Sequence, residues 1–374
     1  MNKPMKHIRG VSAACLLAVP IMLSGCSLFG SESAAVDPPP GEVEAQMLQV
    51  SGEGTLDTGV LGPVSLDESD LAAGVKDAAV SAAAGERTTV YLEDQHGLLA
   101  PVSLALPQGE GTAMLEDSLT ALVSKGAYKS VLPEGFQGVL PAGTEVNNVS
   151  IGQDKVAIVE FNSAFNDYDP ADERKILEAV TWTLTGQEDI QGVQLWVDGK
   201  KLTEMPLQGT PLDRPLSRAM GINLPKQSAL MMNSSAVTVY FSAASPDGIH
   251  QYYVPVTRFV PAGGDSVKAA LNELIAGPQS ENGLEMVMTQ GTVVDSVEAG
   301  QNGVVTVSLK DEMFEGSTSV PEEMLESVVL TVAQNTDDAL VQIRLNGKET
   351  VTGTNNIDYG QPVSAPEYVN ELPL

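Results

Sequence analysis

The sequence Gly-Phe-Gln-Gly-Val-Leu-Pro-Ala-Gly-Thr at residues 135–144 aligns, 148 positions later, with Gly-Leu-Glu-Met-Val-Met-Thr-Gln-Gly-Thr at residues 283–292. The identical positions are Gly135, Val139, Gly143 and Thr144, which match Gly283, Val287, Gly291 and Thr292. The match continues without a gap as far as Asp198-Gly199-Lys200, which meets Asn346-Gly347-Lys348 at the same offset. After a slip of one residue, Pro215 and Ser217 match Pro362 and Ser364. The matched positions are almost all turn residues and apolar residues of a core. The repeated unit is therefore a fold, and no reactive constellation recurs with it.

The order of elements predicted for each copy is strand, strand, helix, strand, strand, helix, strand. The first two strands are predicted at Thr88–Glu93 and Leu98–Leu106, and again at Val237–Phe241 and Tyr252–Val260. Pro101 and Pro255 occupy the same place in the second strand of each pair. Proline cannot donate to a ladder, so both strands are predicted at a sheet edge.

The first helix of each copy is predicted from an apolar stripe at spacings of three and four residues. The stripe is Leu115, Leu119, Leu122 and Val123 in the first copy and Val267, Leu271, Leu274 and Ile275 in the second. The second-copy helix has good N-caps in Asp265 and Ser266, and it stops at Gly277-Pro278.

The second helix is ambiguous by composition, because Val180-Thr181-Trp182-Thr183-Leu184 favours a strand. The helical spacing of Ile176, Leu177, Val180 and Leu184 recurs as Met324, Leu325, Val328 and Val332. Asp169-Pro170 supplies an N-cap followed by the proline that suits a first helical position. We predict a helix on these grounds.

Two-layer α+β domains follow from this order, each with a mixed sheet and both helices on one face. Asp198-Gly199 and Asn346-Gly347 predict hairpin turns, each followed by a short further strand.

We predict a lipoprotein signal peptide at residues 1–25, a lipidated cysteine and disordered acidic linker at 26–87, a first domain at 88–223, a linker at 224–235, a second domain at 236–366 and a C-terminal tail at 367–374. The linker has eleven acidic and two basic residues in positions 27–87, a composition that cannot bury enough apolar surface to fold. A weak helix at Leu71–Ala84 is the exception considered.

The N-terminus is typical of a secretory signal. Lys3, Lys6 and Arg9 precede an apolar run from Val11 to Leu23, which is short for a membrane span of about 20 residues. Leu23-Ser24-Gly25-Cys26 looks like a bacterial lipobox. That resemblance implies cleavage before Cys26 and a lipid on its thiol, and an uncleaved anchor with an incidental cysteine is the alternative. Cys15 would leave with the signal, so no cysteine would remain for a disulfide or a metal.

Charge excludes one class of partner. Without residues 1–25 the chain would carry 17 basic and 49 acidic residues, a net charge of −32. Nucleic-acid binding requires clustered Lys and Arg, and adsorption to anionic lipid requires a basic surface. We therefore expect no nucleic-acid partner, and membrane attachment only through the lipid on Cys26.

Reactive residues are few. His96 and His250 both lie in the first hairpin turn of their copy, where exposed turn residues are common. The acidic stretch Asn166–Glu173 suggests Ca²⁺, but the sixth position counted from Asp167 is Asp172 instead of glycine, and helix capping fits better. No nucleophile elbow, zinc-protease, Walker or dinucleotide motif is present. We predict no catalytic residue, no metal and no cofactor.

A family resemblance rests on five local stretches, on the lipobox and on the tandem plan. The stretches are Phe136–Pro141, Val180–Thr185, Glu204–Pro206 with Gly209–Pro211, Leu216–Arg218 with Gly221–Asn223, and Tyr252–Thr257. In these features the chain resembles the GerM lipoproteins of spore-forming bacteria. The resemblance implies a domain similar to the ring-building motif of sporulation and secretion machines, and a place on the mother-cell-derived membrane around the forespore.

Three functional hypotheses follow. The first is a lipid-anchored, non-enzymatic assembly protein that contacts other sporulation envelope proteins and, as a homo-oligomer, copies of itself. The second is a lipoprotein that binds a cell-wall fragment or germinant in the cleft between its domains, with Tyr252-Tyr253, Trp182 and Trp196 as the available aromatic residues. The third, a wall hydrolase or its accessory, lacks an acid–base constellation.

Overall fold

The structure is a computed structural model that describes residues 87–106, 111–187, 189–225, 233–279, 283–336 and 339–372. The first copy consists of β1 (Thr88–Glu93), β2 (Leu99–Leu104), α1 (Thr112–Ala121), β3 (Val146–Ile151), β4 (Val156–Phe161), α2 (Glu173–Leu184), β5 (Gly192–Val197) and β6 (Lys200–Lys201). The second consists of β7 (Ser234–Ala244), β8 (Gln251–Pro261), α3 (Ser266–Ala276), β9 (Leu284–Glu285), β10 (Val293–Ala299), β11 (Val304–Lys310), α4 (Glu322–Gln334) and β12 (Leu340–Leu345).

The three strands that the two mixed sheets share have the same order and register. The strand order is β3-β4-β5-β6 in the first copy and β10-β11-β12 in the second. Val156 of β4 lies opposite Gly192 in parallel β5, and Val304 of β11 lies opposite Leu340 in parallel β12. Both pairs span 36 residues, because the crossover through α2 or α4 has the same length in each copy. The predicted α+β fold class is confirmed.

The strand-like run in α2 is helical because the helix is buried on nearly every side. Trp182 and Thr183 are 1% and 2% exposed, and α2 contacts both the β1–β2 hairpin and β5. Residues 179–184 of this helix are all buried, so its second half packs as a core helix. Thr183 Oγ1 also accepts a 3.0 Å hydrogen bond from the Tyr91 backbone of β1, and Thr331 of α4 accepts the equivalent bond from Tyr240.

The predicted helix signals are also found. Asp265 accepts a hydrogen bond from the Lys268 backbone N–H, and α3 ends at Gly277 with a φ of 79°. Asp169 accepts from Ala171 at the start of a 3₁₀ turn, Pro170–Asp172, which leads directly into α2. The proline therefore starts the turn before the helix, and the helix itself begins at Glu173.

Both predicted hairpin turns adopt the left-handed backbone that Asn, Asp and Gly tolerate. The φ values are 46° and 73° at Asp198-Gly199, and 54° and 74° at Asn346-Gly347. In the first copy the turn leads into β6, as predicted. In the second copy a single bridge from Leu345 to Lys348 takes the place of the predicted strand.

Two apolar clusters form the cores, and they do not follow the copies strictly. The second cluster contains no described residue before Val237. The first cluster includes Ala243, Tyr252 and Val254, all from the β7–β8 hairpin of the second copy. The long second hairpin therefore serves both cores.

Candidate interaction site between the two copies

The outer edges of β2 and β8 contact each other where the two copies meet. Among the described strands β2 pairs only with β1, and β8 is the last strand in the order β8-β7-β9. The edge positions predicted from Pro101 and Pro255 are therefore confirmed. The prolines interrupt the row of N–H donors that a continuous ladder needs. Buried backbone groups along these edges therefore need other partners.

Asn223 supplies partners on one side of the contact. Its Oδ1 accepts from the Leu99 N–H at 2.8 Å, and its Nδ2 donates to the Leu99 carbonyl at 2.7 Å. The same Nδ2 donates at 2.8 Å to the carbonyl of Pro255, which belongs to the other copy. One side-chain amide thus joins β2 to β8.

Asn370 makes the same three bonds with the copies exchanged. Its Oδ1 accepts from the Tyr253 N–H at 2.7 Å, and its Nδ2 donates to the carbonyls of Tyr253 at 2.8 Å and Pro101 at 2.7 Å. Asn223 and Asn370 lie 147 positions apart and both have a left-handed φ, of 49° and 57°. They form a pseudo-symmetric pair, which we call the asparagine clamps.

A carboxylate of the second helix lies near each clamp, buried in the first copy and half-buried in the second, and the two make different contacts. Glu178 of α2, 4% exposed, accepts from the Asn223 N–H at 3.0 Å and from Arg174 Nε at 2.6 Å. Burial raises the pKa of the Glu178 carboxyl above its ordinary value, although the Arg174 charge opposes this. Glu326, the matching residue of α4, instead accepts from the Tyr253 hydroxyl at 2.8 Å.

A third link between the copies has no symmetric counterpart among the described residues. The Tyr252 hydroxyl donates at 2.9 Å to Asp94, which is 3% exposed and also accepts from the backbone of His96 and Leu98. Burial and the Asp94 charge raise the pKa of the Tyr252 hydroxyl, so it remains a donor. The Tyr252 ring packs edge-on against Phe136, with centroids 5.1 Å apart.

Sequence reasoning missed the asparagine clamps, although a signal existed. The offset of 147 that joins Pro215 to Pro362 also joins Asn223 to Asn370. The predicted end of the second domain at residue 366 stays a prediction. Beyond that point, Asn370 belongs to a clamp, Val369 accepts from Ser103, and Leu372 packs on the first core.

The predicted minor candidates are separated in the structure. His96 packs against Gly283, and His250 lies in an exposed turn with Ser245 and Asp247. Glu173, from the acidic stretch considered for Ca²⁺, is 2% exposed and holds the loop at residues 207–210. Burial raises the pKa of its carboxyl, but hydrogen bonds from Thr210, Tyr168 and Gln208 outweigh burial and lower the pKa overall. Within the described ranges, no three His, Cys, Asp or Glu residues could together hold a metal.

The aromatic candidates divide between core and interface. Tyr252 joins the copies, and Tyr253 reaches Glu326. Trp182 is buried in α2, with its Nε1 donating to the Gly221 carbonyl at 3.0 Å, and Trp196 is half-buried on β5.

The predicted lipid attachment site lies outside the described residues. This applies to Leu23, Ser24, Gly25 and Cys26, to the acidic linker as far as residue 86 and to the weak helix considered at Leu71–Ala84. In the part of the chain that is described, no helix has both the length and the apolar character needed to cross a membrane.

Comparison with known proteins gives concordant results. The model of the Germane family, described as sporulation and spore germination, matches residues 89–203 and 238–351. The spore germination protein GerM of Bacillus subtilis is 35% identical over 368 residues, covering 96% of this chain and 97% of that protein. The solved structure of the tandem GerMN domains of GerM from B. subtilis matches with a TM-score of 0.70 and 36% identity, covering 76% of this chain and 99% of the solved one.

Proposed function

Because this chain belongs to the GerM family of sporulation and spore germination proteins, we propose that it is a non-enzymatic, lipid-anchored assembly component of the spore envelope. Its role in sporulation or germination follows from the family. Its attachment through Cys26 and its work as a scaffold are the proposal. The names of its relatives describe a germination protein and structural domains instead of an enzyme.

The observation that carries the scaffold proposal is a pair of equivalent open sheet edges. β3 and β10 are the terminal strands of their mixed sheets, and they correspond at the offset of 148. Ile151 on β3 is 42% exposed and Val293 on β10 is 58% exposed. An unpaired edge with apolar side chains is a template for a partner strand.

Both edges are also restrained against indiscriminate pairing. A bulge interrupts β3 between Val146 and Asn148, and the equivalent bulge interrupts β10 between Val294 and Ser296. Bulges twist an edge and limit the length over which another strand can pair. The asparagine clamps join β2 of the first copy to β8 of the second, so the copies that carry the two open edges are linked. A linked pair of edges suits defined side-by-side contacts.

Anchoring is tested in the native host. We expect deletion of the gene and Cys26→Ala each to reduce the yield of heat-resistant spores, with the Cys26→Ala protein leaving the membrane fraction. Normal spores that fail to germinate would move the role to germination. A Cys26→Ala strain with full yield and full membrane association would overturn the anchoring proposal.

The edges are tested at one exposed apolar residue on each strand. Ile151→Lys and Val293→Lys place charges on the open edges, and we expect reduced spore yield with an unchanged unfolding midpoint. Ile357→Lys, at a residue 46% exposed in a loop, is the control and should preserve the yield. Equal yields for all three variants would contradict a scaffold that uses these edges.

A further inference from the structure

A cleft of about 420 Å³ opens between the two copies, and Val369, next in sequence to the clamp residue Asn370, is among its lining residues. Its walls come from β1, from the ends of α2 and α4, and from the C-terminal segment at residues 364–369. The apolar part consists of Tyr91, Tyr240, Leu330, Ala333, Ala365 and Val369. Sites for small molecules are commonly about 300–1,000 Å³, and they combine such walls with a few fixed polar groups.

Arg218 is the basic residue that lines this cleft, and contacts with Trp182 and Thr185 hold its side chain in place. The guanidinium lies 4.6 Å above the centre of the Trp182 ring. Its Nε donates to Thr185 Oγ1 at 3.1 Å and its Nη2 donates to the Trp182 carbonyl at 3.4 Å. Stacking and hydrogen bonds therefore fix the plane of the group before any ligand arrives.

The remaining donors suit a carboxylate. Nη1 donates once, to Gln334 Oε1 at 3.1 Å, so three of the five guanidinium N–H groups have partners. One N–H on each terminal nitrogen has no partner among the described residues. A carboxylate accepts such a pair of donors in a bidentate contact. The Gln334 Nε2 group, also without a partner in the described ranges, adds a neutral donor at the same wall.

The charge of the cleft distinguishes Arg218 from the other cations nearby. Arg174 and Lys175 are paired with carboxylates, whereas Arg218 forms no ion pair with any described residue. Glu367 is the acidic lining residue, and it is exposed on the C-terminal segment. Its charge disfavours a ligand with several negative groups and is compatible with a single carboxylate.

We propose that the cleft between the copies is a binding site for a small molecule with one carboxylate and an apolar body, such as the C-terminal end of a short peptide. Arg218 holds the carboxylate, and the tyrosine and aliphatic walls cover the apolar part. This site is independent of the edges proposed for assembly, so either proposal can fail alone.

Trp182 reports on the site directly. In a Trp196→Phe background of the full chain carrying Cys26→Ala, Trp182 is the only tryptophan. The probes are acetate, N-acetylalanine, N-acetyl-alanyl-alanine and the C-terminal amide of the last compound. We expect a saturable change in Trp182 fluorescence with the dipeptide acid, confirmed by calorimetry, and at least about tenfold weaker binding of the amide.

Substitutions separate the site from general effects. Arg218→Gln should weaken binding of the dipeptide acid at least about tenfold, because a charge-assisted bond is lost. Arg218→Lys should restore part of the affinity. Arg214→Gln, at an exposed arginine of the same segment outside the cleft, should leave it unchanged. Equal binding of acid and amide, equal loss with Arg214→Gln, or no saturable signal with any carboxylate in both measurements would overturn the proposal.

Discussion

The core of the first copy includes residues of the second copy, whereas the described core of the second copy contains only residues of that copy. Ala243, Tyr252 and Val254 lie in the first core, and Tyr252 also satisfies the buried Asp94. On the same strand, Val256 lies in the second core only two residues beyond Val254. The asparagine clamps, in contrast, are exchanged evenly between the copies. The two copies of the fold are therefore joined by one symmetric contact, the asparagine clamps, and by one asymmetric contact, through Tyr252.

This difference has a consequence for stability. Contacts that cross between the copies couple their unfolding, since neither hairpin can leave without exposing its neighbour. Both tryptophans of the chain, Trp182 and Trp196, belong to the first copy. Their fluorescence therefore reports the first copy even when the substitution is made in the second.

The largest effect is expected at Tyr252. Tyr252→Ala removes a fully buried ring and leaves Asp94 without its hydroxyl partner. We expect a loss of about 3–5 kcal/mol in the free energy of unfolding, as for other buried aromatic residues. Urea unfolding followed by tryptophan fluorescence should show this loss in the first copy.

Tyr253→Ala is the matched control, because Tyr253 is the next residue and bonds within its own copy to Glu326. We expect the smaller shift in the tryptophan signal from this variant. Val254→Ala and Val256→Ala sharpen the same contrast with two valines that are both 0% exposed. A larger shift of the unfolding midpoint, followed by tryptophan fluorescence, for Tyr253→Ala than for Tyr252→Ala would refute the asymmetric contact through Tyr252.

Substitution of either clamp residue should cause a loss of unfolding free energy of intermediate size, and the two losses should be about equal. Asn223→Ala and Asn370→Ala each remove three hydrogen bonds to edge backbone. At about 1 kcal/mol for each bond, we expect a loss of about 2–3 kcal/mol from either variant. Chemical unfolding of both variants side by side measures it.

Asn→Gly at each clamp separates the lost bonds from the left-handed backbone, which glycine adopts freely. Asn356→Ala provides a further control, because Asn356 has a φ of 63° but is exposed and has no side-chain hydrogen bond among the described residues. It should cost about 1–2 kcal/mol, the strain of alanine in the left-handed backbone, because no side-chain hydrogen bond is lost with it. A difference of more than about 1 kcal/mol between the two losses in unfolding free energy would exceed the ordinary variation between equivalent bonds. It would show that the two clamps are not equivalent.

The smallest effect concerns two buried carboxyls with lowered pKa values, Glu173 in the first copy and Asp311 in the second. Burial raises the pKa of each, and hydrogen bonds to the carboxylate outweigh it; for Asp311 the donors are Thr289, Thr292 and Met313. A lowered folded pKa stabilises the fold above the unfolded value, about 4, and this contribution is lost as pH falls through the folded pKa.

Glu173→Gln and Asp311→Asn should each cost about 1 kcal/mol at pH 7. The difference from the unsubstituted chain should shrink as the pH falls below about 4. Urea midpoints across pH 2–7 test this for both copies. A difference that grows toward low pH would contradict the sign assigned to these groups.

Much of the fold was predictable because residues close together in the sequence determine it. The alternation of β4 and β11, the turn residues at Asp198-Gly199 and the edge prolines are features of short segments. The helical state of Val180–Leu184 was predictable only from its spacing, since its composition favours a strand; burial between hairpin and sheet decided it. Pairing between Asp94 and Tyr252, or between Leu99 and Asn223, spans more than 100 positions and leaves no local pattern.

The sequence by itself determined that a fold is repeated at an offset of 148, the class of that fold, its helix caps and turns, and the family resemblance that the comparisons confirmed. Periodicity and turn chemistry act over a few residues, so they can be read along the chain. Only the tertiary structure decided that one hairpin serves two cores and that two asparagines replace a ladder between proline-bearing edges. It also decided that Arg218, in the cleft between the copies, forms no ion pair with any described residue. These depend on which distant groups burial brings together, because a buried polar group takes whatever partner the packing presents.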